Sequence, residues 1–152
     1  MTGARKSSTE KNLTARARVV AENCLARTSR SLARKITQAF DVHLEPYGVS
    51  LPQFALLAHV AGAKDDTLGS LAGELGLDPS TLTRNLQGLE KLGFVEIASV
   101  EKDQRKRAVW LTEAGARKLA AAIPAWEDAQ AKLSATLGAA FRSDLRKADR
   151  AL

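Results

Sequence analysis

Residues 67–93, "TLGSLAGELGLDPSTLTRNLQGLEKLG", restrict the chain to few arrangements. Gly76 is a natural left-handed stop. Two residues later Asp78 offers a cap, and Pro79 suits the first turn of a new helix. Thr67 can cap the earlier segment, whose Leu68, Leu71 and Leu75 face inward. Gly93 ends the later one. Two short helices with a tight Gly-containing turn between them form a helix-turn-helix.

The second of these helices is amphipathic in an unusual way. At 100° per residue from Leu82, Leu86 and Leu89 fall on one stripe, with Leu92 at its edge. Ser80, Arg84, Gln87 and Lys91 lie opposite, flanked by Thr81, Thr83 and Gly88. That face carries no carboxylate, because Asp78 and Glu90 lie off it. Hydroxyls, an amide, a guanidinium and an ammonium match phosphates and base edges. In an isolated helix, the same pattern would mean an ordinary solvated face. The preceding helix and turn favour recognition.

The flanking segments complete an order of elements. Residues 1–12 are polar and charged without apolar periodicity, which reads as a disordered tail. Residues 13–45 carry Leu13, Ala17, Val20, Cys24, Leu25, Leu32, Ile36, Phe40 and Leu44 at helical spacing. Pro46 and Gly48 then break the chain. Ser50 is a cap for the next helix, with Pro52 in its first turn, Phe54, Leu57 and Ala61 on one side and Gly62 as its stop. "FVEIASV" and "AVWL" alternate as strands, joined by a charged tip into a β-hairpin. Thr112 caps a long Ala-rich helix that Pro124 interrupts, and Gly138 marks a further joint. The expected fold is mainly α with a small β-hairpin. The segments are a tail (1–12), an N-terminal helix (13–48), a helix-turn-helix with its hairpin (49–112) and C-terminal helices (113–152); the outer helices carry more apolar surface than one small core can bury, which suits them to dimerisation.

Composition narrows the function. The 152 residues suffice for one compact domain, and 45% apolar with only 5% aromatic content implies an aliphatic core. The net charge of +6 suits a polyanionic partner. Cys24 is the single cysteine, and His43 and His59 are the only histidines. A disulfide framework is therefore excluded, a metal site is not expected, and a reducing, cytoplasmic setting is. No apolar run approaches the length of a membrane span, and residues 1–12 lack the apolar core of a secretion signal. No catalytic nucleophile–base arrangement or phosphate-binding Gly loop is present, so an enzyme is not expected.

The hairpin tip reads Glu101-Lys102-Asp103-Gln104-Arg105-Lys106-Arg107. Cations on a flexible tip suit a narrow minor groove, where the potential is most negative. A plain solvated tip is the alternative. Asp103 is positioned to pin Arg105.

"LAGELGLDPSTLTRNLQGLEKLGFVE" with "KDQRKRAVWLTEAG" closely resembles the MarR family of bacterial winged-helix regulators. Asp103-x-Arg105 and Leu111-Thr112-x-x-Gly115 match that family's wing signature. The resemblance implies a homodimer on a pseudo-palindromic operator in double-stranded DNA. It places the Ser80–Lys91 helix in the major groove and Arg105 in the minor groove, with Lys102, Asp103, Lys106 and Arg107 beside it. It also implies repression released by a small, often aromatic, effector, with no cofactor. Phe40, His43, Leu44, Tyr47, Phe54 and His59 are near enough in sequence to line the effector pocket. One branch of the family senses hydroperoxides through a cysteine in the region of Cys24; here a packed apolar role for Cys24 is the simpler reading. Gly88 departs from the longer polar residue common in the family. It leaves open a winged-helix interaction module without DNA readout. Trp110 is unusual on a wing strand.

Overall fold

The computed structural model describes residues 8–63, 67–100 and 103–151; the side chains of residues 8, 9, 100 and 103–106 lie outside that description. The chain divides into two compact units, Met1–Thr37 and Gln38–Leu152.

The first unit holds helix α1, Ser8–Asn23, and the start of α2, Leu25–Leu44. Helix therefore begins inside the stretch expected to be disordered. The single helix expected over 13–45 is instead two, broken at Cys24. The break has a local cause. Asn23 turns its amide back onto the Val19 carbonyl at 2.9 Å. The Cys24 carbonyl then accepts from both the backbone N–H and the hydroxyl of Thr28, at 3.1 and 3.3 Å. It thus opens a new helical register rather than continuing the old one.

In the second unit α2 ends in a 3-10 turn, Glu45–Tyr47, and Gly48 follows in the left-handed region at φ +67°. Helix α3, Leu51–Gly62, starts with a complete capping box: Ser50 accepts from the Gln53 backbone while the Gln53 side chain accepts from the Ser50 N–H. Asp41 anchors this start from α2, accepting from the Leu51 N–H at 2.6 Å. Helix α3 closes at Gly62 as expected, and Ala63 caps it in an extended conformation. Ala61 is exposed, and the buried side of α3 is Phe54, Leu56, Leu57 and Val60.

Helices α4, Leu68–Leu75, and α5, Pro79–Lys91, are separated by Gly76 at φ +60°. Strands β1, Val95–Val100, and β2, Asp103–Leu111, pair antiparallel. Thr67 adds an isolated bridge to Ala108, a third rung on the edge of β2. Helices α6, Glu113–Leu137, and α7, Ala139–Ala151, complete the chain. The core between α3, α4, α5, the hairpin and α6 is aliphatic: Leu57, Leu71, Leu82, Leu86, Leu89 and Val95 are each less than 2% exposed. This is the expected winged helix-turn-helix.

Pro124 does not interrupt α6, contrary to expectation. Its missing N–H orphans the Ala120 carbonyl, but both residues are exposed, so water can take that carbonyl. The buried face is carried across the proline by Leu119, Ala122 and Ala129.

The hairpin ends meet α6 at a tight junction. Thr112 donates its N–H to the Phe94 carbonyl at 3.1 Å and its hydroxyl to the Gly93 carbonyl at 2.6 Å. The same hydroxyl accepts from the Gly115 N–H at 3.0 Å and caps α6. Gly115 lies so close that an added Cβ would sit 1.9 Å from the Phe94 oxygen. Backbone cannot yield as a side-chain tip does. We therefore expect Gly115→Ala to destabilise the protein by roughly 3 kcal/mol or more, at or beyond the top of the overpacking range. Urea unfolding midpoints measure this directly.

Candidate nucleic-acid interface

Helix α5 shows its two faces as the sequence implies. Leu82 and Leu86 are fully buried and Leu89 nearly so, while Leu92 at the edge is half exposed. This anchoring turns Ser80, Arg84, Gln87 and Lys91 outward, all exposed. Arg84, Gln87 and Lys91 make no hydrogen bond or ion pair among the described residues. Their donors and acceptors are free for a ligand.

The hydroxyls are different. Asp78 caps α5 by accepting from the Ser80 and Thr81 N–H groups, each at 3.0 Å. It also accepts from both hydroxyls, Ser80 on Oδ1 and Thr81 on Oδ2, at 2.5 Å. Thr83 donates to the Pro79 carbonyl at 2.7 Å. Ser80, Thr81 and Thr83 are thus committed as donors within the helix start and offer a partner only their oxygen lone pairs. A phosphate approaching this N-terminus meets a carboxylate already in the anion seat. The readable chemistry of α5 is therefore cationic and amide.

The hairpin departs from regular pairing at its tip. Ser99 faces Arg107, and the next pair among the described residues is Val100 with Asp103, so the register is irregular between Ser99 and Val100. This is the break in alternation expected near Arg105. Arg107 is exposed. The side chains of Asp103, Arg105 and Lys106, and all of Lys102, lie outside the described residues, so the expected pinning of Arg105 by Asp103 does too. Trp110, the residue hardest to place from sequence, stands directly across from Glu96 and donates its indole N–H to that carboxylate at 3.0 Å. It is 39% exposed, on the outer face of the hairpin.

The residues expected to line an effector pocket separate into two groups. Phe40, Leu44 and Phe54 are core. Trp126 of α6 lies between the two phenylalanines, with ring centroids 6.3 Å from Phe40 and 6.1 Å from Phe54, both stacked. Sequence spacing did not bring Trp126 into this cluster. His43 ties α2 to α6: Nδ1 is 2.9 Å from the Ala39 carbonyl, and Nε2 is 3.2 Å from Lys132 Nζ and 3.5 Å from Asp128 Oδ2. A carbonyl only accepts, so Nδ1 carries the hydrogen of that bond. The Lys132 ammonium, donating at 2.7 Å, holds the Asp128 carboxyl below its ordinary value. Tyr47 is half-buried, and its carbonyl accepts from Lys118 at 2.9 Å; His59 is exposed.

Sequence reasoning missed one cleft. Between the start of α3 and the second half of α5 a space of about 280 Å³ is lined by Ser50, Gln53, Leu56, Arg84, Asn85 and Gly88, with further contacts at its edges. Gly88 helps to open it: a Cβ there would meet nothing within 4 Å. Cys24 is half-buried at the α1–α2 break. Among the described residues, no group of three His, Cys, Asp or Glu side chains could hold a metal, and no helix is long and apolar enough to cross a membrane.

The Asp78 cap has a pH consequence. Donation from the Ser80 hydroxyl, then from Thr81, lowers the Asp78 carboxyl far below its ordinary 3.8. A depressed folded-state value contributes stability above the unfolded value, lost as pH falls through the folded one. Asn is also a good cap but does not titrate there. The advantage of wild type over Asp78→Asn is therefore expected to hold from pH 7 to about 4, then shrink below it. Urea midpoints at pH 7, 4 and 3 give the comparison.

Known proteins share this architecture. The sequence profile of the MarR family matches residues 47–106. An HTH-type transcriptional regulator of Mycobacterium bovis is 35% identical over 100 residues, which cover 66% of this chain and 70% of that protein. The Mycobacterium tuberculosis regulator MosR, solved in complex with DNA, matches with a TM-score of 0.77 at 33% identity, over 85% of this chain and 96% of that one. A mutant MarR of Escherichia coli, complexed with operator DNA, matches with a TM-score of 0.75 at 25% identity, over 86% and 94% of the two chains. These relatives are transcriptional regulators, not enzymes. Set beside the buried leucine stripe of α5 and the hairpin that follows it, they place the chain in the MarR family of winged-helix transcriptional regulators.

Proposed function

We propose that the protein is a homodimeric DNA-binding repressor that reads a pseudo-palindromic operator and is released by a small aromatic effector. The observation that carries this reading is the outer face of α5. Arg84, Gln87 and Lys91 stand free on a helix whose opposite side is locked into the core. A rigid helix presenting unpaired donors without a carboxylate among them suits the major groove. The hairpin tip, which carries Arg105, suits the adjacent minor groove. DNA complexes of MosR and MarR, which share the fold, support the same assignment.

Apolar side chains left in water support the dimer. Leu13, Val20 and Leu25 are 67–82% exposed in the first unit, and Val42 is 68% exposed in the second. Such surface is retained where a second copy covers it. Effector release is the least specified part. The Phe40–Trp126–Phe54 stack is filled by the protein's own rings, so an aromatic ligand would enter by displacing or flanking them.

Binding to the DNA upstream of the protein's own gene tests the reading, measured by gel shift across a salt series. We expect affinity to fall steeply with salt. Arg105→Ala is expected to weaken binding by about 1–3 kcal/mol. Equal affinity of the variant and wild type would remove Arg105 from the interface. For the dimer, the double variant Val20→Glu, Leu25→Glu is expected to sediment as a monomer while wild type sediments as a dimer; a wild-type monomer would overturn the assembly.

A further inference from the structure

Helix α7 carries a cationic face that the winged helix does not use. On a helical projection Arg142, Arg146, Lys147 and Arg150 occupy one side, with only Ala139 and Ser143 between them. These six residues form one continuous solvent-facing surface. Phe141, Leu145 and Ala148 lie opposite. Asp144 is off the cationic face and reaches only Lys147, at 3.5 Å, while Asp149 borders the face beside Arg142. Arg142, Arg146 and Arg150 are exposed and make no hydrogen bond or ion pair among the described residues.

Helix stability does not account for this arrangement. Like charges four residues apart repel, by a few tenths of a kcal/mol per pair. The helix dipole favours cations in the last turn, which suits Arg150, but disfavours Arg142 in the first. Three unpartnered guanidinium groups on one line are better explained by an external anion. Their spacing indicates which kind. Successive steps of four residues advance ~6 Å along the helix. One DNA strand rises ~3.4 Å of duplex axis per phosphate while it also winds about that axis, so successive phosphates stand farther apart than the rise alone, and the ~6 Å arginine steps suit successive phosphates. A membrane surface imposes no such line and needs apolar area to hold a helix. Here Phe141 is half-buried, which leaves Leu145 as the one large exposed apolar side chain of α7 among the described residues.

The site is distinct from α5. Helix α6 begins at the hairpin junction and runs 25 residues before α7 starts beyond Gly138. That is a rise of roughly 37 Å. We propose that the cationic face of α7 is a second seat for the phosphodiester backbone of duplex DNA. One protein then holds two duplex segments at once, the second without reading its sequence.

The test uses the full chain and a fluorescein-labelled 24-base-pair duplex of mixed sequence, followed by anisotropy across a salt series. The background variant Arg84→Gln, Lys91→Gln weakens the α5 site, so the residual binding reports α7. Adding R142Q/R146Q/R150Q is expected to lower that residual affinity at least tenfold in low salt. It should also flatten the log K against log salt slope by about 2.7, since three phosphate contacts are lost. The lysine series R142K/R146K/R150K keeps the charge and is expected to stay within about twofold of the background. The three arginines are exposed and unpartnered, so folding is retained, which helix content by circular dichroism verifies. An unchanged affinity and slope in the glutamine series would overturn the proposal. So would loss of binding to phosphatidylserine vesicles with duplex binding intact, because the anion would then be a lipid surface. Since the α5 residues are already disabled, neither outcome depends on whether α5 reads an operator.

Discussion

The clasp between residues 93–94 and the start of α6 sets the geometry of everything around it. Phe94 follows α5 directly, and its N–H closes onto the Leu89 carbonyl at 3.0 Å. Its carbonyl takes the Thr112 N–H, and Gly115 presses against the same peptide group. One residue thus binds the end of α5, both feet of the hairpin and the first turn of α6. Lys118 reinforces it from the next turn, with its ammonium 5.5 Å above the Phe94 ring and bonded to the Tyr47 carbonyl. The junction therefore fixes the angle between α5 and the hairpin.

A trade is visible at the other end of α5. Asp78 satisfies two orphan N–H groups and two hydroxyls, which makes the helix start well defined. The same contacts withdraw Ser80 and Thr81 as donors and place a negative charge at the helix mouth. The donors left free are those of Arg84, Gln87 and Lys91, one to three turns further on. Gly88 sits among them without a side chain, and the cleft towards α3 opens beside it.

What the sequence revealed was local. The caps at Ser50, Thr67, Asp78 and Thr112 are each set by residues two or three positions apart, and all four form as expected. The leucine stripe of α5 is likewise a matter of spacing. What it concealed depends on partners distant in the chain or on solvent. Gly115 matches a signature, but its reason is a peptide group 21 positions earlier. Phe40, Phe54 and Trp126 meet only after α2, α3 and α6 pack. Pro124 stays within a helix because the carbonyl it orphans faces water, which no local pattern records. Spacing puts Ser80 on the outward face of α5 and Thr81 beside it, yet the use of both hydroxyls as donors is decided by an aspartate off that face. At Cys24, side chains of Asn23 and Thr28 outweighed an apolar period that ran straight through.

The two tryptophans stand in opposite surroundings, and the chain has no others. Trp126 is clamped between rings on two other helices, whereas Trp110 rests on the open hairpin against a carboxylate. Their emission should therefore differ in colour and in access to quenchers. The molecule carries one optical reporter for its helical core and another for its wing. Movement in either could be followed separately, without any label.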